Sequence, residues 1–174
     1  MNTPNNKRRK ESRRKIEEVF AALLQERELN QITVTDICKL AQVNRSTFYA
    51  NYVDVYALAE KVKESLEQEV LKLYEDEWKN RRSEHNFLKL LHHIKEHQAL
   101  YRTYFKLSNG KLNVIGYDPM DAQKYHEGKH IDYHIAFFGN GFNAVLNMWL
   151  ERNCAETPEE LYSIIQSEYP SALK

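Results

Sequence analysis

The sequence is poor in the residues that mark several classes of protein. Among its 174 residues there are two cysteines, Cys38 and Cys154, which lie too far apart to form a metal-binding or disulfide motif. The five glycines form no phosphate-binding loop. No run of about 18 apolar residues is present, so no transmembrane helix is predicted. We therefore expect a protein of the reducing cytoplasm that has no membrane partner.

The chain also has no net charge, although its charges are unevenly distributed. Residues 1–52 contain ten Lys and Arg against six Asp and Glu, a net charge of +4, and residues 53–174 carry a net charge of −4. The polar, basic amino terminus lacks the apolar stretch of a secretory signal. A basic end joined to an acidic body indicates a module that binds a polyanion, attached to a body with another task.

Apolar residues recur every three or four positions along most of the chain, which is the spacing of amphipathic helices. No alternation typical of strands competes with it, so we predict an all-α fold. Plausible helix N-caps are Thr33, Asn44 and Asp54. Residues 1–6 are predicted to be disordered.

Two short predicted helices, joined by a tight turn, follow a longer amino-terminal helix. This order is that of a helix-turn-helix, whose second helix enters the major groove of DNA. Arg45 can form two hydrogen bonds with guanine, and Asn51 can pair with adenine. Phe48 should point the opposite way and anchor the helix in the core. The residues predicted to contact DNA are Thr33, Thr35, Arg45, Ser46, Thr47, Tyr49, Asn51 and Tyr52.

Residues 16–62 resemble the DNA-binding domain of the tetracycline-repressor (TetR/AcrR) family. The family's Thr-Phe-Tyr core is present at residues 47–49, and its apolar anchors are Val34, Ile37, Ala41 and Val43. Residues 137–161, which begin F-F-G-N-G-F-N, are similar to the last helices of the Firmicutes-type branch of that family. The resemblance implies a homodimeric transcriptional regulator that binds double-stranded DNA at a palindromic operator, with repression relieved by a small molecule.

Two features depart from the family's pattern. The family usually has Gly where this chain has Gln42, so the turn needs either a negative φ or a tolerated left-handed conformation. The family also tends to place Lys at the start of the fourth helix, where this chain has Val53 and Val55. The basic segment K-R-R-K-E-S-R-R-K at 7–15 could replace that phosphate contact, although such runs are often only solvated tails. An alternative function is therefore a coactivator that works through a protein partner without binding DNA itself.

We assign residues 1–52 to the helix-turn-helix domain and residues 53–174 to a helical regulatory and dimerisation domain. In the second domain, apolar residues form a stripe at helical spacing, and the last helix contributes further apolar residues. We predict that these residues pair with their copies across a twofold axis to form a four-helix bundle. The same residues could also be intrachain core. The residues of this predicted dimer interface are Ile131, Ile135, Phe138, Phe142, Val145, Trp149, Leu161, Ile164 and Ile165.

A second set of mostly aromatic residues is predicted to line a pocket for a small apolar or aromatic effector. Pockets are mostly apolar with a few polar groups, but the same rings could simply fill the core, since close packing is the default. The residues of this predicted pocket are Phe87, Leu91, Tyr101, Tyr104, Phe105, Tyr133 and Phe137.

One short motif points to a different class of protein. Residues 126–130 read H-E-G-K-H, which fits the H-E-x-x-H pattern of zinc hydrolases. Gly128 weakens the helix that such a site needs by roughly 1 kcal/mol relative to Ala, and the preceding residues are polar. We therefore predict no metal, no cofactor and no catalysis, and the zinc-dependent hydrolase is the weaker alternative.

Overall fold

A computed structural model describes residues 4–73, 87–112 and 130–168. Within these ranges the chain forms α-helices, one short 3-10 helix at Leu29–Gln31 and no strand, so the prediction of an all-α fold is confirmed. No helix in this described part combines the length and apolar character that crossing a membrane requires. The helices are α1 (Pro4–Glu26), α2 (Val34–Ala41), α3 (Arg45–Tyr49), α4 (Val55–Leu73), α5 (Phe87–Glu96), α6 (Gln98–Leu107), α7 (Ile131–Glu151) and α8 (Pro158–Glu168).

The chain divides into two compact units, an amino-terminal unit of Met1–Ser65 and a carboxy-terminal unit of Leu66–Lys174. The division falls inside α4, whereas the predicted boundary lies after residue 52, before that helix. Leu58 and Val62, in the first half of α4, are buried. These turns belong to the amino-terminal unit, which therefore extends beyond residue 52.

In the amino-terminal unit, α1 packs on α2 and α3, and α2 packs on α3. The buried face of α1 includes Ile16 and Phe20, which are four residues apart and so lie on one side of the helix. This helix begins at Pro4, because the fixed φ of proline suits a first helical turn. The first three residues of this helix, 4–6, belong to the segment that was predicted to be disordered.

Side-chain caps form at two of the three predicted helix starts. The Thr33 hydroxyl accepts the Asp36 N–H at 3.1 Å and donates to the Asp36 carboxylate at 2.7 Å. These bonds from Thr33 hold the pKa of Asp36 below its ordinary value. The Asp54 carboxylate accepts the Ala57 N–H at 2.7 Å. Asn44 precedes α3 without a side-chain cap, and only its carbonyl accepts the first helical bonds.

In the carboxy-terminal unit, aromatic rings pack α5 against α7. The Phe87 ring centroid lies 5.9 Å from that of Phe138 and 5.1 Å from that of Phe142. Trp149 is buried, and its indole N–H donates to the Glu156 carbonyl at 3.2 Å. Helix α5 also packs on α8, and α6 packs on α7. The long α7 is therefore covered by its own chain along one face.

Candidate nucleic-acid interface

The turn between α2 and α3 depends on a left-handed residue. Gln42 has φ 55° and ψ 45°, and its N–H donates to the Cys38 carbonyl. The N–H of Val43 donates to the same carbonyl at 3.0 Å. Glycine is the usual residue in this conformation, because it has no Cβ to clash. Here glutamine adopts it, so the left-handed alternative is the one that this turn uses.

Helix α3 has five residues and is held in place by one fully buried side chain, Phe48. The rings of Tyr49 and Tyr52 each lie 5.6 Å from the Phe48 ring, measured between centroids. A helix of this length is not stable by itself in water. Its order and orientation therefore come from the packing of Phe48 in the amino-terminal core.

Burial of Phe48 leaves the other side of α3 facing solvent. Arg45, Ser46 and Tyr49 are exposed, and Thr47 is partly buried. Guanidinium, hydroxyl and phenol groups can donate to phosphate oxygens or to base edges. The structure thus brings three of the predicted DNA contacts together on one outward face, which we call the α3 face (Arg45, Ser46 and Tyr49).

Thr33 and Thr35 lie at the start of α2, and both are exposed. The hydroxyl of Thr33 is already engaged in capping this helix. Its clearest role is to order the first turn of α2, and contact of either threonine with DNA stays a prediction.

Two other predicted contacts are engaged inside the protein. Tyr52 is 5% exposed, and its OH donates to the Glu17 carboxylate at 2.7 Å. Burial, followed by the nearby Glu17 carboxylate, raises the pKa of Tyr52 well above its ordinary value. The Asn51 amide donates to the Thr47 carbonyl at 2.8 Å and accepts from Arg9 at 3.1 Å. Burial of Tyr52 therefore corrects the prediction that its hydroxyl contacts DNA, whereas contact of the partly buried Asn51 with DNA stays a prediction.

A cleft of about 300 Å³ opens beside the end of α3. We call it the basic cleft, and its lining residues are Arg9, Lys10, Arg13, Asn51, Tyr52 and Lys61. The basic segment 7–15 was predicted to contact phosphate, whereas Lys61 on α4 was not predicted. No local pattern connects these two regions, because only the fold brings α1 and α4 to the same cleft.

The residues predicted to line an effector pocket fall into two groups. Tyr133 and Phe137 are 77% and 71% exposed on α7. The other five are buried in the carboxy-terminal unit: Phe87, Leu91, Tyr101, Tyr104 and Phe105. The structure therefore does not bring the seven together around one site.

The residues predicted to form a dimer interface also divide. Ile164 is exposed, and Ile131, Ile135 and Val145 are partly buried. The remaining five are buried within the single chain: Phe138, Phe142, Trp149, Leu161 and Ile165. At these five positions the stripe is intrachain core, which corrects their assignment to a surface between two chains.

A different face of α7 carries exposed apolar residues. Tyr133, Phe137 and Met148 are exposed, and Gly141 and Ala144 continue the same helical spacing between them. We call these five residues the outer face of α7. A Cβ added at the neighbouring Gly139 would meet no atom within 4 Å. Four of its residues, at 137, 141, 144 and 148, each come one position before a residue of the predicted stripe, so the two faces share one period and periodicity alone could not distinguish them.

The H-E-G-K-H motif lies almost entirely outside the described residues. His130 is described, and it is exposed with φ 54° immediately before α7. Within the ranges that the structure describes, no three His, Cys, Asp or Glu side chains gather as a metal site.

Comparison with known families assigns the carboxy-terminal half of the chain. Residues 81–167 match the family model TetR_C_8, described as a transcriptional regulator C-terminal region. The match spans half of the 174 residues and includes α5 to α8. No curated protein matches the chain. The family match and the all-helical architecture agree with the resemblance noted in the sequence, and the chain belongs to the TetR family of transcriptional regulators.

Proposed function

We propose that this regulator binds a palindromic DNA operator as a homodimer and represses transcription. The observation that carries the proposal is the α3 face, where Arg45, Ser46 and Tyr49 project from a helix anchored by Phe48. In a helix-turn-helix, the first residues of the second helix contact base edges in the major groove. Arg45 is the first residue of α3 and is exposed, so it is the best-placed residue to read a base.

The homodimer is supported by the outer face of α7. Large apolar side chains that are exposed together mark interaction surfaces more often than single ones do. In a twofold dimer the same patch serves both subunits, so a helix face can pack on its own copy. Tyr133, Phe137 and Met148 supply the apolar area of this face. Ile164 on α8 is a further exposed apolar residue of this unit.

A dimer also explains how a five-residue helix could give specificity. Two reading helices bind half-sites separated by about one turn of DNA, roughly 34–36 Å. A small change in the separation of the two helices would then release the operator, and a ligand that prefers the altered state would relieve repression.

An apolar effector would have to enter among side chains that are already packed. Phe87, Leu91 and Tyr104 are buried in the carboxy-terminal unit, and the Tyr104 hydroxyl donates to Glu67 at 2.9 Å. Opening this region would break that bond and separate the rings. A thermal-shift screen with aromatic compounds tests the idea, since a compound that binds only the folded state raises the unfolding temperature.

The test of DNA binding is a gel shift with the DNA upstream of the protein's own gene. We expect Arg45→Ala to lose roughly 1–3 kcal/mol of binding free energy per half-site and to relax base preference at one position. The control is Arg152→Ala, which removes an exposed arginine from the carboxy-terminal unit. Equal binding by Arg45→Ala and the parent protein would place the reading surface elsewhere.

The coactivator remains a second candidate because of one observation on α4 and the residues before it. Val53, in the region where the family tends to have a lysine, is 81% exposed, and the nearby Tyr56 is 59% exposed. Val55, in contrast, is buried in the core. Exposed apolar groups suit a protein partner better than phosphate. If the protein binds DNA only together with a second protein and never alone, the result would favour the coactivator.

A further inference from the structure

The basic cleft collects positive charge from two distant parts of the sequence. Four cationic residues line it: Arg9, Lys10, Arg13 and Lys61. Arg13 is paired with Glu17 at 2.8 Å, and Lys61 is paired with Glu64 at 2.7 Å. These two pairings offset two of the four cations, which leaves an excess of two positive charges around the cleft.

The basic cleft borders the residues that directly follow α3, the helix proposed to read DNA. Arg9 on α1 donates to the Asn51 side-chain oxygen at 3.1 Å and to the Ala50 carbonyl at 3.3 Å. Both acceptors are neutral, so these bonds position the guanidinium without neutralising it. Tyr52, which also lines the cleft, is fixed by its bond to Glu17. The excess charge is therefore held at a defined place beside α3.

Like charges gathered in one cleft repel one another, and an anion that enters the cleft removes that cost. Phosphate suits these groups, because guanidinium forks bind its oxygens in pairs and lysine ammonium groups bind it as point charges. The volume of about 300 Å³ lies at the lower end of small-molecule sites. Its cationic lining does not suit an apolar effector.

We propose that the basic cleft is a phosphate-binding site, and that its occupant in the operator complex is a phosphate of the DNA backbone. This inference rests on the DNA-binding function proposed above. The cleft would supply the phosphate contact that Val53 cannot make, using α1 and the second turn of α4. A backbone contact beside the end of α3 would fix the register of the reading helix without itself reading sequence.

The experiment measures DNA affinity against salt concentration for the double variant Lys10→Gln, Lys61→Gln. The logarithm of the binding constant falls with the logarithm of salt concentration by about 0.9 per phosphate contact. Loss of one contact in each subunit should make the slope less steep by about 1.8 for a dimer. Affinity should fall by the same factor for operator and unrelated DNA. The matched control is Lys15→Gln, Lys63→Gln, which removes two lysines from the same helices but outside the cleft.

A second arm distinguishes the source of the phosphate. Inorganic pyrophosphate is titrated into the DNA-free parent, double variant and control, and the unfolding temperature is followed. A slope change confined to the double variant supports the DNA backbone as occupant. An unchanged slope, with pyrophosphate stabilising the parent and control but not the double variant, supports a free phosphorylated ligand in the same cleft.

The inference is overturned if the double variant matches the control in both arms. If the parent binds no DNA, the proposed function fails by itself, and the pyrophosphate arm alone decides whether the cleft binds phosphate.

Discussion

Helices α3 and α7 each have one exposed face, and the two faces differ in chemistry. The α3 face presents a guanidinium, a hydroxyl and a phenol, whereas the outer face of α7 presents Tyr133, Phe137 and Met148. In both cases another side of the same helix is fixed by buried aromatic rings. The same construction therefore displays a polar surface in one unit and an apolar surface in the other.

The contrast indicates which partner each surface suits. A polar face that includes a cation loses little by staying in water and gains from a polyanion. An apolar face gains most when another apolar face covers it. The two units can therefore be disturbed separately, and the following substitutions, in decreasing order of expected effect, test that separation.

The largest effect is expected from Phe48→Ala, which removes the anchor of α3. Truncating a buried Phe to Ala costs about 3–5 kcal/mol of unfolding free energy, because apolar contacts are lost and a cavity remains. Thermal unfolding followed by circular dichroism measures this loss. Tyr49→Ala is the control, since a substitution at this half-exposed neighbour should stay nearer the roughly 0.5 kcal/mol usual at the surface. Similar losses for both variants would show that α3 is not held by Phe48.

The next effect is expected from Phe137→Glu on the outer face of α7. A charge placed in an apolar interface, together with loss of a large aromatic contact, should cost at least about 2 kcal/mol of dimerisation free energy. Sedimentation should then show monomer at concentrations where the parent is a dimer, with helicity unchanged. Leu71→Glu, an exposed apolar position on α4, is the matched control. A parent protein that is monomeric at micromolar concentration would contradict the dimer altogether.

Helices α3 and α7 also show which features could be predicted from the sequence and which could not. The period of Phe138, Phe142 and Trp149 correctly indicated a packing stripe on a helix. It could not indicate what covers the stripe, because intrachain and interchain partners need the same spacing. The exposure of Arg45, in contrast, could be predicted, because Phe48 on the same short helix was predicted to point into the core.

Contacts between residues that are far apart in the sequence could not be predicted from it. Tyr52 was predicted to contact DNA because its hydroxyl is polar, yet Glu17 of α1 accepts that hydroxyl in the interior. The basic cleft likewise needs Lys61 beside residues of α1. Capping at Thr33 and Asp54 was predictable, since each cap bonds a residue three positions away. The reliable predictions were those in which the interacting atoms are close in sequence.

A smaller, stabilising effect is expected from Gln42→Gly in the helix-turn-helix turn. A left-handed conformation costs an L-residue about 1–2 kcal/mol, and part of the gain is offset by the greater freedom of glycine in the unfolded chain. We expect a net gain of about 0.5–1 kcal/mol in chemical denaturation. Asn109→Gly, at φ 52° in the carboxy-terminal unit, is the comparison. It should gain less, because asparagine tolerates this conformation better.

The smallest expected effect is a change in folding stability with pH, and it should arise in the carboxy-terminal unit only. All seven histidines lie after residue 84, so the amino-terminal unit has none. Burial, followed by repulsion from His97, lowers the pKa of His93 below its ordinary value of 6.5, although Glu69 and Glu96 oppose the shift. Below pH 6.5 the unfolded chain gains a proton at His93 before the folded chain does. This group therefore reduces stability as pH falls from 6.5 to the lower folded pKa.

His93→Gln tests the assignment. Glutamine does not titrate and can keep a hydrogen bond to the Tyr101 hydroxyl, which lies 2.7 Å from the His93 ring. The unfolding temperature should then fall less between about pH 7 and pH 5.5 than it does in the parent. An identical fall in both proteins would assign the pH dependence to other groups. Exposed His92, paired with Glu159 at 2.9 Å, serves as the control through His92→Gln.

The shortness of α3 has a consequence for how such a regulator can acquire new targets. In this five-residue helix, folding depends on Phe48, whereas Arg45, Ser46 and Tyr49 face outward and contribute little to the core. Exchanges at these three positions should therefore alter the preferred base sequence while leaving the protein folded. A small library that varies only these positions would contain mostly stable proteins, so operator preference could drift, or be redesigned, with little need for compensating changes elsewhere.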